Sequence, residues 1–426
     1  MRTLSAAGAL AMTALFGMFI RGASAQDPAE LLARARAIHR QVPLIDGHND
    51  YPWALREKVP SLDLAMLDIR HSQPATMTDI PRLRAGGLGA QFWSVYVPTD
   101  LQGQAAVRTT LEQIDIVHRM IARYPDTFEQ AGTAHDIERI FKSGRIASMM
   151  GVEGGHSIDN SLGVLRIMYA LGVRYMTLTH SDNTPWADSA TDDPKLGGLS
   201  PFGETVVQEM NRLGMLVDLS HVSPDTMHDA LRVTRAPVIF SHSSARALCD
   251  VPRNVPDDVL REVKANGGVV MVTFVPSFIA PEGGARYVLV AAEMKRLKQA
   301  YPNDPQAVKA GMDAFRKTHP EPKATLSMVA DHIDHIRQVA GIDHLGLGGD
   351  FDGIDTVPEG LEDVSKYPSL TAELLRRGYS TTDVKKILGL NLLRVMRKAE
   401  AVAAALQDAR PPSTTRFTEG APARQR

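Results

Sequence analysis

The sequence predicts an α/β fold: a (β/α)8 barrel of the TIM type, with a helical insertion between the seventh and eighth strands. Three observations lead there. Eight short apolar runs, bounded by Gly or polar residues, read as strands buried on both faces. Segments of helical periodicity fill most of the intervals, and strand alternating with helix implies parallel pairing. Six of the eight runs end in His, Asp or Glu, as strands would on the rim where barrels build their sites. A doubly wound open sheet is the alternative reading of the same alternation.

The runs follow in order. Val42-Pro43-Leu44-Ile45 ends in Asp46-Gly47-His48-Asn49-Asp50, and a second run spans Gly89 to Val97. Arg145 to Val152 ends at Glu153-Gly154-Gly155, and Val173 to Thr179 ends at His180. Met215 to Leu219 leads into Ser220-His221, and Pro237 to Phe240 into Ser241-His242. Gly268 to Phe274 is the seventh, and His344 to Leu347 runs into Gly348-Gly349-Asp350. Helices are expected over 110–124, 161–171, 203–213, 223–233 and 257–265, with N-cap chemistry at Asn160-Ser161 and Ser223-Pro224. The stretch Pro276 to Lys323 exceeds one barrel helix. Ala291 to Tyr301 and Pro305 to Lys317 read as two helices of an insertion, serving as a lid or an oligomer contact.

Composition narrows the function. Of 426 residues, Lys+Arg 47 against Asp+Glu 49 leaves a net charge of -2, without the basic surplus of a nucleic-acid binder. One Cys excludes a disulfide framework, a Cys-based zinc site and an iron-sulfur cluster; Cys249 reads as a small core residue. Met1-Arg2, the apolar stretch Leu4 to Ile20 and Ala23-Ser24-Ala25 read as a signal peptide over 1–25, with a mature start at Gln26 and export to the periplasm or medium. No later segment is apolar and long enough to span a membrane. One domain is expected over 26–410, and an unstructured tail over 411–426.

In a parallel barrel the strand-end residues converge on one rim. His48 and Asp50 form a His-x-Asp pair, His221 and His242 offer a second imidazole pair, and Glu153 lies between them in sequence. Imidazole and carboxylate together suit Zn²⁺, or Mn²⁺ and Co²⁺ under other conditions. A carboxylate can bridge two cations about 3.5–4 Å apart. His180 and Asp350 end two further strands on the same rim. Asp46 and Asp352 flank these positions as orienting candidates, and His156 reads as a supporting residue. His332 and His335 read as a solvated or rim face of their helix, and Asp182, Asp188, Asp192 and Asp193 as loop charges. No Gly-x-Ser-x-Gly elbow, Walker loop, dinucleotide glycine motif or His-Glu-x-x-His is present.

These motifs have a family likeness. Leu44-Ile45-Asp46-Gly47-His48-Asn49-Asp50, Gly151-Val152-Glu153-Gly154-Gly155-His156, Leu178-Thr179-His180 and Asn183-Thr184-Pro185-Trp186 stand in order along the chain. Val217-Asp218-Leu219-Ser220-His221, Ser241-His242-Ser243-Ser244, Arg253-Asn254-Val255-Pro256-Asp257-Asp258 and Gly348-Gly349-Asp350-Phe351-Asp352-Gly353 continue it. The chain resembles the membrane dipeptidase (renal dipeptidase) family of dinuclear zinc peptidases. The resemblance implies two Zn²⁺ per subunit, one held by His48 and Asp50, the other by His221 and His242, with Glu153 bridging. It implies that His180 contacts the scissile carbonyl oxygen, Arg253 binds the free carboxylate, and Asp350 accepts and returns a proton. The implied reaction is hydrolysis of dipeptides by a metal-bridging hydroxide, with C-terminal D-residues a candidate class, in a homodimer. A lactam, lactone or N-acyl amino acid hydrolase, or a binding protein without turnover, are the other readings. Unlike the animal enzymes, this chain has one Cys and a polar tail without a lipid-anchor signal.

Overall fold

The computed structural model describes residues 27–302 and 304–419. Its organising element is a parallel sheet rolled shut. In chain order the strands are β1 (Leu44–Asn49), β2 (Leu88–Ser94), β3 (Phe128–Gln130), β4 (Ile146–Glu153) and β5 (Val173–Thr177). They continue with β6 (Leu216–Asp218), β7 (Ile239–Phe240), β8 (Val269–Val272) and β9 (Leu345–Leu347). The neighbour order is β2-β1-β9-β8-β7-β6-β5-β4-β3, and a β2–β4 pairing closes eight of them into a barrel. Closure bears out the barrel expected from the eight strands and rules out the open sheet.

β3 is the ninth strand, with no counterpart among the apolar runs. It pairs with the start of β4 at Phe128↔Ile146 through Gln130↔Ser148, and β5 takes over at Met150. Only Phe128 of its three residues is apolar, so no periodicity announces it.

Alternation along the strands builds two layers. Phe92, Met149 and Tyr175 belong to one cluster, and their neighbours Trp93, Met150 and Met176 to the other. Phe92 meets Tyr175 at 5.1 Å across the intervening β4, which places the first set inside the barrel. Gly151 shares that inner face: a Cβ there would run into the Tyr175 ring. Two residues on, the same parity points Glu153 into the barrel mouth.

Helices start where the caps are. Ser161 accepts from Val164 N and Ser223 from Thr226 N, opening the helices Leu162–Ala170 and Pro224–Val233. The expected insertion lies between β8 and β9 and forms the helices Gly283–Ala300 and Pro305–Thr318, packed through buried Leu297 and Met312. The signal peptide expected over 1–25 lies outside the described residues. No helix among the described residues is long and apolar enough to cross a membrane. The tail over 411–419 has no helix or strand, but Arg166 donates to Ser413 O at 3.1 Å and Phe417 stacks edgewise on Phe202. Cys249 is buried, as expected of a core residue.

His332 corrects its reading as a rim residue: it is 1% exposed. Its Nδ1 accepts from Ala245 N at 3.0 Å and its Nε2 faces Ile279 O at 3.0 Å. That pairing requires the neutral ring with hydrogen on Nε2. Burial pulls its pKa down to about 4, as it does that of His39, which bonds Gly86 O and Thr371. The unfolded chain therefore takes up these protons first. Stability should be full above pH ~6.5 and fall as pH drops toward ~4, by about 1.4 kcal/mol per pH unit for each ring. Melting temperatures between pH 4 and 7 should show a shallower slope for His332→Gln than for the parent; identical slopes would refute the assignment.

Candidate active site

The strand ends deliver their residues to one cleft of about 920 Å³, lined by Asp50, Glu153, His180, His221, His242, Arg253 and Asp350. His48 lies just beneath, fully buried. All eight positions singled out in the sequence are thus brought together, from six strands and the loop after β7.

Glu153 is the hub. Its Oε1 lies 3.0 Å from His221 Nε2, 3.5 Å from His242 Nε2 and 3.7 Å from His180 Nε2. Its Oε2 faces the other way, 3.4 Å from His48 Nε2 and 3.2 Å from the Ser94 hydroxyl, which donates to it. His48 Nε2 also lies 3.2 Å from Asp50 Oδ2. The His221 and His242 Nε2 atoms stand 2.9 Å apart. His48, Asp50 and Asp350 form a further group whose ligand atoms lie within 4.8 Å of one another.

This donor set fits cations. His48 Nε2 and Asp50 Oδ1 are buried and have no hydrogen-bond partner among the described residues. Such orphaned atoms are costly unless something fills the gap between them. Burial opposes a charge on His48, yet Tyr175, Asp50 and Glu153 outweigh it and raise its pKa well above the ordinary value: positive charge is favoured there. Burial, helped by Arg253 and neighbouring imidazoles, holds His221 and His242 well below theirs, so both are neutral and able to donate a lone pair. Burial opposes ionisation of Glu153, but the surrounding imidazoles hold its pKa well below the usual carboxylate value.

Supporting contacts that the sequence did not disclose aim the rings. Tyr175 OH meets His48 Nδ1 at 2.8 Å. Ser241 Oγ meets His242 Nδ1 at 2.8 Å and itself donates to Asp218 Oδ2 at 2.6 Å. Tyr175 reads in sequence as one more apolar strand residue; only the register beside Gly151 shows the room for its ring. Asp46, an orienting candidate, accepts from His48 N at 3.2 Å, Gly349 N at 2.9 Å and Tyr367 OH at 2.5 Å. Asp352 accepts from Met77 N at 2.6 Å, and burial pushes its pKa up to about 6. His156 faces Val97 O at 3.2 Å and stays outside the ligand group.

Local strain accompanies the site. His221 (φ 68°) and Asp350 (φ 61°) both adopt the left-handed conformation, uncommon for residues with a Cβ. Gly353 closes the turn after Asp350; a Cβ there would meet the carboxylates of both Asp50 and Asp350. Burial, with the charges of Asp50 and Glu153, raises Asp350 well above the usual carboxylate range against the pull of His48 and Arg253. Arg253 is 3% exposed, stacks 5.4 Å over Phe278, and its Nη1 has no hydrogen-bond partner among the described residues. Burial pulls its pKa down to about 10, so it remains charged at neutral pH. Cleft walls include Trp53, Tyr96 and Phe278, with Arg316 reaching in from the insertion.

The family profile of membrane dipeptidases (peptidase family M19) matches residues 32–410. The chain belongs to the membrane dipeptidase family. It is accordingly a hydrolase, a metallo-dipeptidase. Among curated relatives, dipeptidase verJ of Clonostachys rogersoniana is 42% identical over 393 residues, covering 88% of this chain and 89% of that protein. Dipeptidase 3 of Homo sapiens is 44% identical over 380 residues, covering 88% of this chain and 68% of that protein. The probable dipeptidase PvdM from Pseudomonas aeruginosa superposes with a TM-score of 0.77 at 26% identity, covering 88% of this chain and 100% of that one. A metallo peptidase from Rhodobacter sphaeroides, solved with a phosphinate mimic of the dipeptide L-Ala-D-Ala, shares the fold with a TM-score of 0.69 at 23% identity over 84% of this chain and 99% of that one.

Proposed function

We propose that this metallo-dipeptidase is an exported zinc enzyme that hydrolyses dipeptides, including those ending in a D-residue, with two Zn²⁺ per subunit. The carrying observation is the position of Glu153, whose two carboxylate oxygens face two separate groups of ligand atoms. His48 and Asp50 would hold one ion, His221 and His242 the other, and Glu153 would bridge them. Bound zinc supplies an activated water at neutral pH and positive charge for the carbonyl oxygen.

The chain's own residues do the rest. His180 Nδ1 meets Ser181 Oγ at 2.7 Å. With that hydroxyl donating, Nε2 carries the hydrogen and can donate to the carbonyl oxygen as charge develops there. Asp350, which lines the cleft beside His48 and Asp50, takes the proton of the attacking water and returns it to the departing amine. Arg253 offers its Nη1, without a hydrogen-bond partner among the described residues, to the terminal carboxylate. A tripeptide would place an amide where that carboxylate belongs, which limits the substrate to two residues. Assembly as a homodimer is part of this reading by family likeness.

A panel of L,L and L,D dipeptides with matching tripeptides tests it, run on chelated protein and again after adding Zn²⁺. Zinc-restored cleavage of dipeptides alone is the expected result; cleavage that survives chelation, or equal turnover of tripeptides, contradicts it. Arg253→Ala should raise dipeptide KM by about 30-fold or more, as loss of a buried charge partner costs at least ~2 kcal/mol, with zinc content unchanged. An unaltered KM would remove Arg253 from the carboxylate site.

A further inference from the structure

Two of the three imidazoles nearest Glu153 are fixed through the ring nitrogen pointing away from it: His48 by Tyr175 and His242 by Ser241. His221 is not. Among the described residues nothing hydrogen-bonds its Nδ1, although its Nε2 stands nearest of all to the Glu153 carboxylate. Its aim must come from its backbone, which is held in the left-handed conformation.

The loop after His180 does the holding. Ala190 N donates to His221 O at 2.8 Å, and Thr179 Oγ1 donates to the same oxygen at 3.3 Å. Ser189, 2% exposed, forms a bridge with Val222. Its hydroxyl lies 2.6 Å from His180 O, 3.1 Å from Ser181 O and 3.4 Å from His221 O. The hydroxyl has a single hydrogen, which the shortest contact assigns to His180 O, while the Ser189–Val222 bridge and the Ala190 N–H hold the backbone at His221, so this one residue and its neighbour tie the residue facing the substrate oxygen to a candidate metal ligand.

The loop is itself anchored. Asp188, read from the sequence as a loop charge, lies on the loop but is buried there: it is 1% exposed, and its carboxylate accepts from the backbone N–H groups of Lys195, Leu196, Gly197 and Gly198. Its carbonyl accepts from Ser223 N at 3.0 Å and Thr226 Oγ1 at 2.9 Å, at the cap of the helix that follows His221. A carboxylate satisfied by so many backbone donors makes a rigid platform.

We propose that Ser189, on this Asp188-anchored loop, is a positioning residue that sets the spacing of His180 and His221 and replaces the ring hydrogen bond His221 lacks. It rests on the two-ion reading above. The test uses the zinc-loaded full enzyme. Ser189→Ala should release one of its two zinc ions to a chelator about 10-fold faster while the other is unaffected. Its kcat should fall by about 10-fold, with KM within a factor of ~2 and the melting temperature lowered by no more than about 4 °C. Ser189→Cys, nearly isosteric with a weaker donor, should fall between it and the parent, and carries the comparison if the alanine variant does not fold. Equal loosening of both ions, an unchanged kcat, or a lower melting temperature with parental kcat per folded molecule would overturn the proposal. A parent that cleaves no dipeptide, with ion-selective loosening in the variant, would sink the dipeptide reading and leave this one standing.

Discussion

Asp350→Asn should lower kcat for dipeptides by about 10²–10⁴-fold, the range lost with a positioned proton carrier. The amide keeps the size of the side chain, and the turn around it depends on the backbone: Asp350 N donates to His48 O at 3.2 Å and Gly353 N to Asp350 O at 3.2 Å. Folding should therefore survive. What is lost is a group able to exchange a proton beside the ligand cluster. Burial and the charges of Asp50 and Glu153 lift its proton affinity well above that of an ordinary carboxyl, which suits a group that must accept a proton and later give it up. KM should stay within a factor of ~2, because the carboxylate contact proposed for Arg253 is left in place. Zinc content separates the outcomes. Two ions with a collapsed kcat support the proton role; parallel loss of one ion would make Asp350 a ligand, consistent with its place near His48 and Asp50.

The strand ends were legible in sequence because burial on both faces turns each strand into an apolar run with an abrupt polar end. His48, Glu153, His221 and His242 stand at such ends, and parallel pairing then brings them together. Closure was expected from the count of eight strands, but the pairing that achieves it, β2 with β4, was not legible, because neither strand carries a mark of its partner. The residues that aim the ligands were hidden for a related reason. Tyr175 acts on His48, 127 positions away, and Asp218 acts through Ser241, 23 positions away. Asp188 read as a loop charge because its acceptors' partners are backbone N–H groups, which no residue type advertises. His332 misled for the opposite reason: polar type suggested the rim, while two backbone partners let a neutral ring be buried.

Glu153→Gln should reduce the affinity for one zinc ion by roughly 10²–10⁴-fold, since removing one partner of a buried charge set costs about 3–5 kcal/mol. An amide has one acceptor oxygen in place of two, and carries no charge. Either the Oε1 side, with His221 and His242, or the Oε2 side, with His48, must lose its share of the carboxylate. The sides differ in support. His48 keeps Asp50 and Tyr175, whereas the His221–His242 pair has no carboxylate within ion-pair reach other than Glu153 among the described residues. The ion on the His221–His242 side should therefore leave first, and kcat should fall with it. Titrating the variant with zinc while counting bound ions should show one tight and one weak site. Two tight ions would show that Glu153 does not bridge; loss of both together would show that the sites cannot be filled independently, because each cation then depends on the other's hold on the shared ligands.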